Sequence, residues 1–147
     1  MSAPPPVSPP HALFVARLAG LVRRGGRVLD AAGGTATYAR ALHAAGLEVT
    51  APDEAGPEDL FDGLLAVDAL ATVAPPDWPA YLAGFAVLLR PQAPAYLTVE
   101  LGSGPPPELP DWLEAVGFAV ADEADDDRYR HLLLTRVLSL GSRSALG

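Results

Sequence analysis

The feature that most constrains this chain is a repeated alternation of short apolar runs with segments of helical periodicity. Apolar side chains recur at helical spacing in four segments, at 11–24, 35–45, 77–89 and 110–116. Asp77, at the start of the third segment, can cap that helix. Apolar runs that predict strands lie between them, at 27–32, 47–51, 63–67 and 95–101. Such alternation is typical of parallel β-α-β units, in which helices cover both faces of one sheet.

The end of the chain breaks this alternation. Two further strand-like runs, at 119–123 and 131–138, flank an acidic stretch with no helical segment between them. This pattern predicts an antiparallel hairpin. The fold class is therefore α/β, with a mostly parallel sheet closed by a C-terminal antiparallel hairpin.

Length and charge narrow the classes of function. The 147 residues suffice for one domain, which we place at 11–140, between a disordered proline-rich tail at 1–10 and a frayed tail at 141–147. A net charge of -8 argues against nucleic acid or anionic lipid as a partner, and no apolar run reaches the length of a membrane span. We therefore expect a cytoplasmic protein without nucleic-acid or membrane partners.

The segment VLDAAGGTATYARAL, at 28–42, is the most informative one for function. It predicts a strand ending in Asp30, a tight turn of small residues and a helix that begins at once. In an α/β sheet, this arrangement places backbone N–H groups and a helix N-terminus at the carboxyl end of a strand. Ligands with anionic groups bind at such positions.

This segment also resembles motif I of the class I S-adenosylmethionine-dependent methyltransferases, most closely the small-molecule and quinone methyltransferases. The similarity continues through GLEVTAPD at 46–53, FDGLLAVDAL at 61–70, YLAGFAVLLRPQAPAYLTVE at 81–100 and ELPDWLEAVGFAV at 108–120. The resemblance implies a Rossmann-like sheet, S-adenosylmethionine (SAM) as cofactor and methyl transfer to a small-molecule substrate.

The resemblance also implies cofactor contacts at particular positions. Asp53 would accept hydrogen bonds from the ribose hydroxyls, and Asp68 would lie near the methionine end or the substrate. The methionine portion would face Asp30 and the backbone of Ala32, Gly33 and Gly34. No catalytic residue is identified, and no metal site is expected: we expect His11, His43 and His131 to be surface histidines, and the acidic run at 122–127 to be a solvated turn.

The chain departs from the family pattern in two places. Ala36 replaces the third glycine of the turn, and only eight residues separate Asp53 from Asp62, where the family has a helix, a strand and a return loop. A β-α-β unit takes about 30 residues, so that unit is missing and about six strands remain. An extended link of this length reaches about 30 Å, which suffices to cross the sheet. The second strand then becomes an exposed edge, blunted by Pro52 or covered by a partner chain, as in a homodimer.

In the family, the helix-strand unit that this chain lacks forms one wall of the adenine pocket. Its loss costs about 2–4 kcal/mol of binding free energy, from one stacking contact and one hydrogen bond. A pocket that binds at about 1 μM when intact would then bind between about 30 μM and 1 mM. Glu58, Asp59 and Leu60 resemble the family's acid-Asp-Leu sequence near the adenine, but they lack the strand that positions it.

Three functions therefore stay open. Methyl transfer to a small molecule is favoured, and the alternative is a non-catalytic binding or dimerisation module with weak or no cofactor binding. Dinucleotide binding fits less well, because Gly33 and Gly34 followed by Ala36 do not supply the G-x-G-x-x-G pattern. The sequence identifies neither the methyl acceptor nor a general base.

Overall fold

The elements of the fold follow the predicted order. The computed structural model describes residues 9–31, 36–54, 56, 59–71, 73–102 and 105–137. The elements are α1 Pro9–Leu21, β1 Arg27–Asp30, α2 Ala36–Ala44, β2 Glu48–Thr50, β3 Gly63–Ala66, α3 Trp78–Ala86, β4 Pro94–Glu100, α4 Leu109–Val116, β5 Phe118–Asp125 and β6 Tyr129–Arg136. Short 3-10 turns lie at Pro52–Glu54 and Pro75–Asp77. Apart from residues 9 and 10, which begin α1, the two predicted tails lie outside the described residues.

One six-stranded sheet organises the chain, in the order β2-β1-β3-β4-β6-β5. The first four strands are mutually parallel, whereas β6 runs antiparallel to both of its neighbours, β4 and β5. The predicted fold class, a mostly parallel Rossmann-like sheet of six strands with a C-terminal antiparallel hairpin, is confirmed.

Helices cover both faces of the sheet. Because successive strand residues point to opposite faces, Val28 and Leu65 belong to one core cluster and Leu29 and Leu64 to the other. The first cluster includes α1 and α2 side chains such as Phe14, and the second is filled by α3 and α4. This two-sided burial explains why the parallel strands appear in the sequence as continuous apolar runs.

The short link after β2 runs as the sequence predicted. It leaves the carboxyl end of β2, returns to the amino edge of the sheet and enters β3 on the far side of β1. The strand β2 is therefore an edge strand, and the 3-10 turn that begins at Pro52 ends it after three residues. An edge strand this short offers little backbone for pairing with other chains.

Asp62 anchors the returning chain at the amino edge. Its carboxylate accepts a hydrogen bond from the Arg27 backbone N–H at 2.9 Å and lies 3.1 Å from Arg23 Nε and 3.2 Å from Arg90 Nε. The Asp62 backbone N–H donates to the Arg27 carbonyl at 2.7 Å. The buried carboxylate of Asp62 is thus paired with two arginines. Its side chain and its backbone both hydrogen-bond to Arg27 and so attach the link to β1.

Two local predictions need correction. Asp77 precedes α3 as predicted but makes no side-chain capping bond, because the 3-10 turn leads straight into the helix and leaves Asp77 at helical angles (φ -92°, ψ -6°). The hairpin strands also differ from the prediction: β5 is longer and includes the acidic residues up to Asp125, and β6 begins two residues earlier, at Tyr129. Cross-strand pairs such as Asp125 with Arg130 stabilise these polar strand ends.

No helix in the described ranges is long and apolar enough to cross a membrane.

Replacing Asp62 should destabilise the fold. Asp62→Ala removes the acceptor of the Arg27 N–H and leaves two arginines without their carboxylate, so we expect the free energy of unfolding to fall by about 1–3 kcal/mol. Urea denaturation followed by circular dichroism measures the change. Glu114→Ala, at an exposed position of α4, is the control and should stay within about 0.5 kcal/mol of the wild type. Equal stability of the two variants would contradict the anchoring role.

Candidate functional site

Three of the predicted site residues follow neighbouring parallel strands at one edge of the sheet. Asp30 ends β1, Asp53 lies in the 3-10 turn after β2, and Asp68 comes two residues after the end of β3. Because these strands are parallel and adjacent, all three acids lie at the carboxyl edge. Asp30 is buried, with 8% of its surface exposed, whereas Asp53 and Asp68 are exposed.

The turn between β1 and α2 lies mostly outside the described residues. Ala32, Gly33 and Gly34 fall in this gap, so their predicted contact with a cofactor stays a prediction. Before the gap, the Ala31 N–H donates to the Leu65 carbonyl at 2.8 Å, which extends the pairing of β1 with β3 past the end of β1. After it, α2 begins at Ala36, so the strand-turn-helix order of the sequence prediction is present.

Asp68 is held in an uncommon backbone conformation. Its φ angle is 59°, in the left-handed region, and its backbone N–H donates to Thr98 Oγ1 on β4 at 2.8 Å. Aspartate tolerates this region better than most residues, although the conformation still costs free energy. This hydrogen bond to the neighbouring strand therefore fixes the direction in which the chain leaves β3.

A cleft of about 210 Å³ opens on one side of Asp68. Its walls come from the ends of β3 and β4, the loop after β3, the start of α3 and Pro106; they are formed by Asp68, Leu70, Ala71, Val73, Pro75, Trp78, Thr98, Glu100 and Pro106. Trp78 Nε1 donates to the Val73 carbonyl at 2.7 Å, and the Trp78 ring meets that of Trp112 edge to face at 6.4 Å. The two tryptophans therefore pack against each other, and Trp78 also forms part of the cleft wall.

A cluster of aromatic rings lies on the α1/α2 side of the same edge. His11 of α1 stacks on Tyr38 of α2 with ring centroids 5.9 Å apart, and meets Tyr129 and His131 of β6 edge to face at 5.2 and 4.6 Å. Tyr96 of β4 lies 6.0 Å from His131 in a stacked arrangement. Four elements thus contribute rings to one cluster beside the strand ends.

The charge of Asp68 affects the pKa values of two tyrosines in this cluster. Burial raises the pKa of Tyr129 to about 12, and the Asp68 charge, together with a hydrogen bond to the Asp68 carboxylate, acts in the same direction. Burial and the Asp68 charge also raise the pKa of Tyr38. Both phenols therefore keep their protons at neutral pH, and Tyr129 donates to Asp68.

A hydrogen-bonded chain lies deeper in the cluster. His131 is fully buried; its Nδ1 lies 2.7 Å from the Tyr96 hydroxyl and its Nε2 lies 2.7 Å from Asp126 Oδ2. Asp126 Oδ1 accepts the backbone N–H groups of Arg128 at 2.8 Å and Tyr129 at 2.7 Å. The turn of the hairpin thus presents one carboxylate oxygen to the buried imidazole.

The Asp126 carboxylate is stabilised in its ionised form. Burial would raise its pKa, but hydrogen bonds from His131 and from the two backbone N–H groups outweigh this effect and lower the pKa to about 2. Burial also raises the pKa of Tyr96, so its phenol stays protonated. The ionised Asp126 can only accept, so His131 Nε2 donates to it, and His131 Nδ1 shares a hydrogen bond with the Tyr96 hydroxyl.

Sequence reasoning missed this cluster. The expectation of surface histidines is wrong for His11 and His131, which are 6% and 0% exposed. The acidic run is not simply a solvated turn, since Asp126 is a structured acceptor. The only local signal is the alternation of Tyr129 and His131, which lie two residues apart on one face of a strand.

The resemblance of Asp59 to the family's adenine-side acid does not hold in the fold. Asp59 Oδ1 lies 3.4 Å from Arg27 Nη1, and Arg27 begins β1 at the amino edge of the sheet. The Asp59 carboxylate also accepts the Gly56 N–H at 2.7 Å. Without the missing strand, this acid faces the edge opposite to Asp30.

The low pKa of Asp126 makes stability depend on pH. The ordinary pKa of 3.8 applies to the unfolded chain, so the contribution of Asp126, about 2 kcal/mol, is complete above pH 4 and is lost as the pH falls toward 2. Asp126→Asn should lower the free energy of unfolding by that amount at pH 7 and by almost nothing near pH 2. Denaturant titrations across this pH range measure the difference.

Asp127→Asn is the matched control, because Asp127 is the exposed neighbour of Asp126 in the same turn. We expect this variant to follow the wild-type curve. A deficit in Asp126→Asn that does not change with pH would contradict the assignment of an ionised carboxylate.

No protein-family model and no curated protein matches the sequence. Solved structures do match the fold. The 1,6-didemethyltoxoflavin-N1-methyltransferase of Burkholderia thailandensis, solved with 1,6-didemethyltoxoflavin and S-adenosylhomocysteine, is 18% identical with a TM-score of 0.69, and the alignment covers 94% of each chain.

Two further structures agree with this match. The magnesium protoporphyrin IX methyltransferase of Synechocystis, solved with S-adenosylhomocysteine, is 15% identical with a TM-score of 0.64 and covers 91% of this chain and 90% of its own. An O-methyltransferase family protein from Burkholderia thailandensis is 17% identical with a TM-score of 0.62 and covers 86% of this chain and 56% of its own. With the strand order and the acids at the carboxyl edge, these matches show that the chain has the fold of the class I S-adenosylmethionine-dependent methyltransferases.

Proposed function

We propose that the chain binds SAM at the carboxyl edge of its sheet and transfers the methyl group to a small molecule held beside Asp68. The observation that carries the proposal is the placement of Asp30 and Asp53 at the ends of the adjacent parallel strands β1 and β2. Two of the structural neighbours were solved with S-adenosylhomocysteine bound, which supports SAM as the ligand class.

The chemistry of these acids fits the cofactor. SAM carries cationic ammonium and sulfonium groups, for which the buried carboxylate of Asp30 is a suitable partner near the turn after β1. The ribose hydroxyls of SAM are hydrogen-bond donors, and the exposed carboxylate of Asp53 can accept from both. When bound, SAM supplies a methyl group on an activated leaving group, so the protein needs chiefly to align the acceptor and exclude water.

Asp68 and its neighbours form the acceptor side of the proposed site. The cleft of about 210 Å³ beside Asp68 is smaller than the common range for ligand pockets, about 300–1,000 Å³, which favours a small acceptor. Trp78 and Leu70 supply apolar surface, while Asp68, Thr98 and Glu100 supply polar groups at one end. The bonds to Thr98 and Tyr129 hold Asp68 in place, so that it can orient an acceptor by hydrogen bonding.

The short link after β2 favours a second candidate, a non-catalytic module with weak cofactor binding. Among the described residues, no strand lies outside β2 to wall the adenine side, and Asp59 faces the amino edge beside Arg27. A module of this kind keeps the sheet and serves as a binding or dimerisation unit. We favour the enzyme because Asp30 and Asp53 follow adjacent parallel strands at the same edge of the sheet as the cleft beside Asp68.

Titration calorimetry with S-adenosylhomocysteine tests the binding step. We expect a Kd between about 30 μM and 1 mM, and we expect Asp53→Asn to weaken binding about 10- to 100-fold through loss of charge-assisted hydrogen bonds. Glu48→Gln is the control, because it changes an exposed acid at the start of β2, whereas Asp53 lies in the turn after the end of that strand, and it should bind like the wild type.

The outcomes separate the candidate functions. No heat at millimolar S-adenosylhomocysteine would overturn the SAM proposal and favour the module, and binding of NADH instead would favour a dinucleotide site. Binding that is equal in Asp53→Asn and the wild type would overturn the assignment of Asp53. If the ligand binds, release of S-adenosylhomocysteine from SAM with a panel of phenols and nitrogen heterocycles tests catalysis.

A further inference from the structure

Three potential metal ligands meet where α1 packs against the C-terminal hairpin. His11 lies in α1, Asp126 in the turn between β5 and β6, and His131 in β6. One ligand atom from each residue lies within 4.8 Å of the other two. Both histidines are buried, while Asp126 is partly exposed and connects the cluster to solvent.

We propose that His11, Asp126 and His131 form a binding site for Zn²⁺. Two imidazole nitrogens and one carboxylate oxygen are a donor set that suits zinc, whereas Mg²⁺ and Ca²⁺ prefer oxygen ligands throughout. Three protein ligands around a tetrahedral ion leave a fourth position for water or another small ligand. The site requires neither SAM nor an acceptor, so it stands apart from the proposed function.

The surroundings already orient two of the three ligands. The backbone N–H groups of Arg128 and Tyr129 hold Asp126 Oδ1, which leaves Oδ2 facing His131. The Tyr96 hydroxyl lies 2.7 Å from His131 Nδ1, so Nε2 is the atom that His131 offers to an ion. Hydrogen bonds of this kind set the ring orientation and basicity of metal-binding histidines.

Binding requires only a small rearrangement. Two ligand atoms at about 2.0–2.1 Å from a tetrahedral ion are about 3.3 Å apart, compared with 2.7 Å between His131 Nε2 and Asp126 Oδ2. The ion takes the place of the proton between these atoms. The imidazole that holds the ion carries its proton on Nδ1, from which it donates to the Tyr96 oxygen.

The location gives the ion a structural effect. α1 contacts the sheet through Phe14, which stacks on Tyr96 at 5.4 Å and on His131 at 5.6 Å. An ion held by His11 and by the hairpin residues links α1 directly to β6 and to the turn before it. Zinc should therefore stabilise the folded state, since it binds a site that exists only after folding.

Calorimetric titration of the metal-free, tag-free full chain with ZnCl₂ tests the site. We expect binding of one ion per chain and a rise in Tm with Zn²⁺ but not with Mg²⁺. His11→Gln should weaken the affinity for Zn²⁺ by more than about 10-fold. Loss of a residue that only hydrogen-bonds to a metal ligand already weakens metal affinity about 10-fold, and loss of a ligand should cost more. His43→Gln is the matched control, because His43 is an exposed histidine on α2, and it should leave the affinity unchanged.

A second variant and spectroscopic measurements distinguish the loss of a metal ligand from unfolding of the variant. Asp126→Asn keeps the shape of the turn residue and should also weaken binding, while circular dichroism checks that each variant is folded. Co²⁺ in the wild-type site should give the visible absorption of a tetrahedral complex, and folded His11→Gln should lose it. Absence of one-to-one binding at 1 mM Zn²⁺, or equal affinity in wild type and folded His11→Gln, would overturn the proposal.

Discussion

The position of β1 between two parallel partners is the constraint on which the rest of the structure depends. β1 pairs with β2 on one side and with β3 on the other, in register from Arg27 to Asp30. All three strands therefore end at the same edge, and the residues that follow them meet there. The direction of the strands, rather than any local motif, brings the three acids at this edge together.

The two edges of the sheet use acidic residues in different ways. At the amino edge, Asp62 is buried and neutralised by Arg23 and Arg90, and Asp59 pairs with Arg27. At the carboxyl edge, Asp53 is exposed, and Asp68 faces phenols rather than cations. Ion pairs at the amino edge hold the chain together there, whereas the exposed carboxylates at the carboxyl edge are accessible to a ligand.

The missing helix-strand unit changes what the fold can bind more than how it folds. The link after β2 is long enough to cross β1, so the order of the remaining strands is preserved. What is lost is the wall beside Asp53, because β2 is now the edge. The aromatic cluster and the hairpin lie on the other side of β1 and do not depend on that wall, which is why the surroundings of Asp68 are more completely built than those of Asp53.

The sequence by itself determined the elements, their order and the acids that end the strands. These properties are local: apolar periodicity separates strands from helices, and a residue such as Asp30 or Asp53 marks a strand end by its place in the pattern. Even the edge position of β2 followed from the length of one link. The resemblance to a family supplied the predicted roles of these acids.

Only the tertiary structure decided which side chains meet. His131 follows His11 by 120 positions, and the two rings touch because α1 packs on β6 through Phe14. Asp59 could not be placed from sequence either, since its edge depends on where the link crosses the sheet. Periodicity shows which face of an element is apolar, but it carries no information on which distant element will cover that face, because that choice is made by non-local packing.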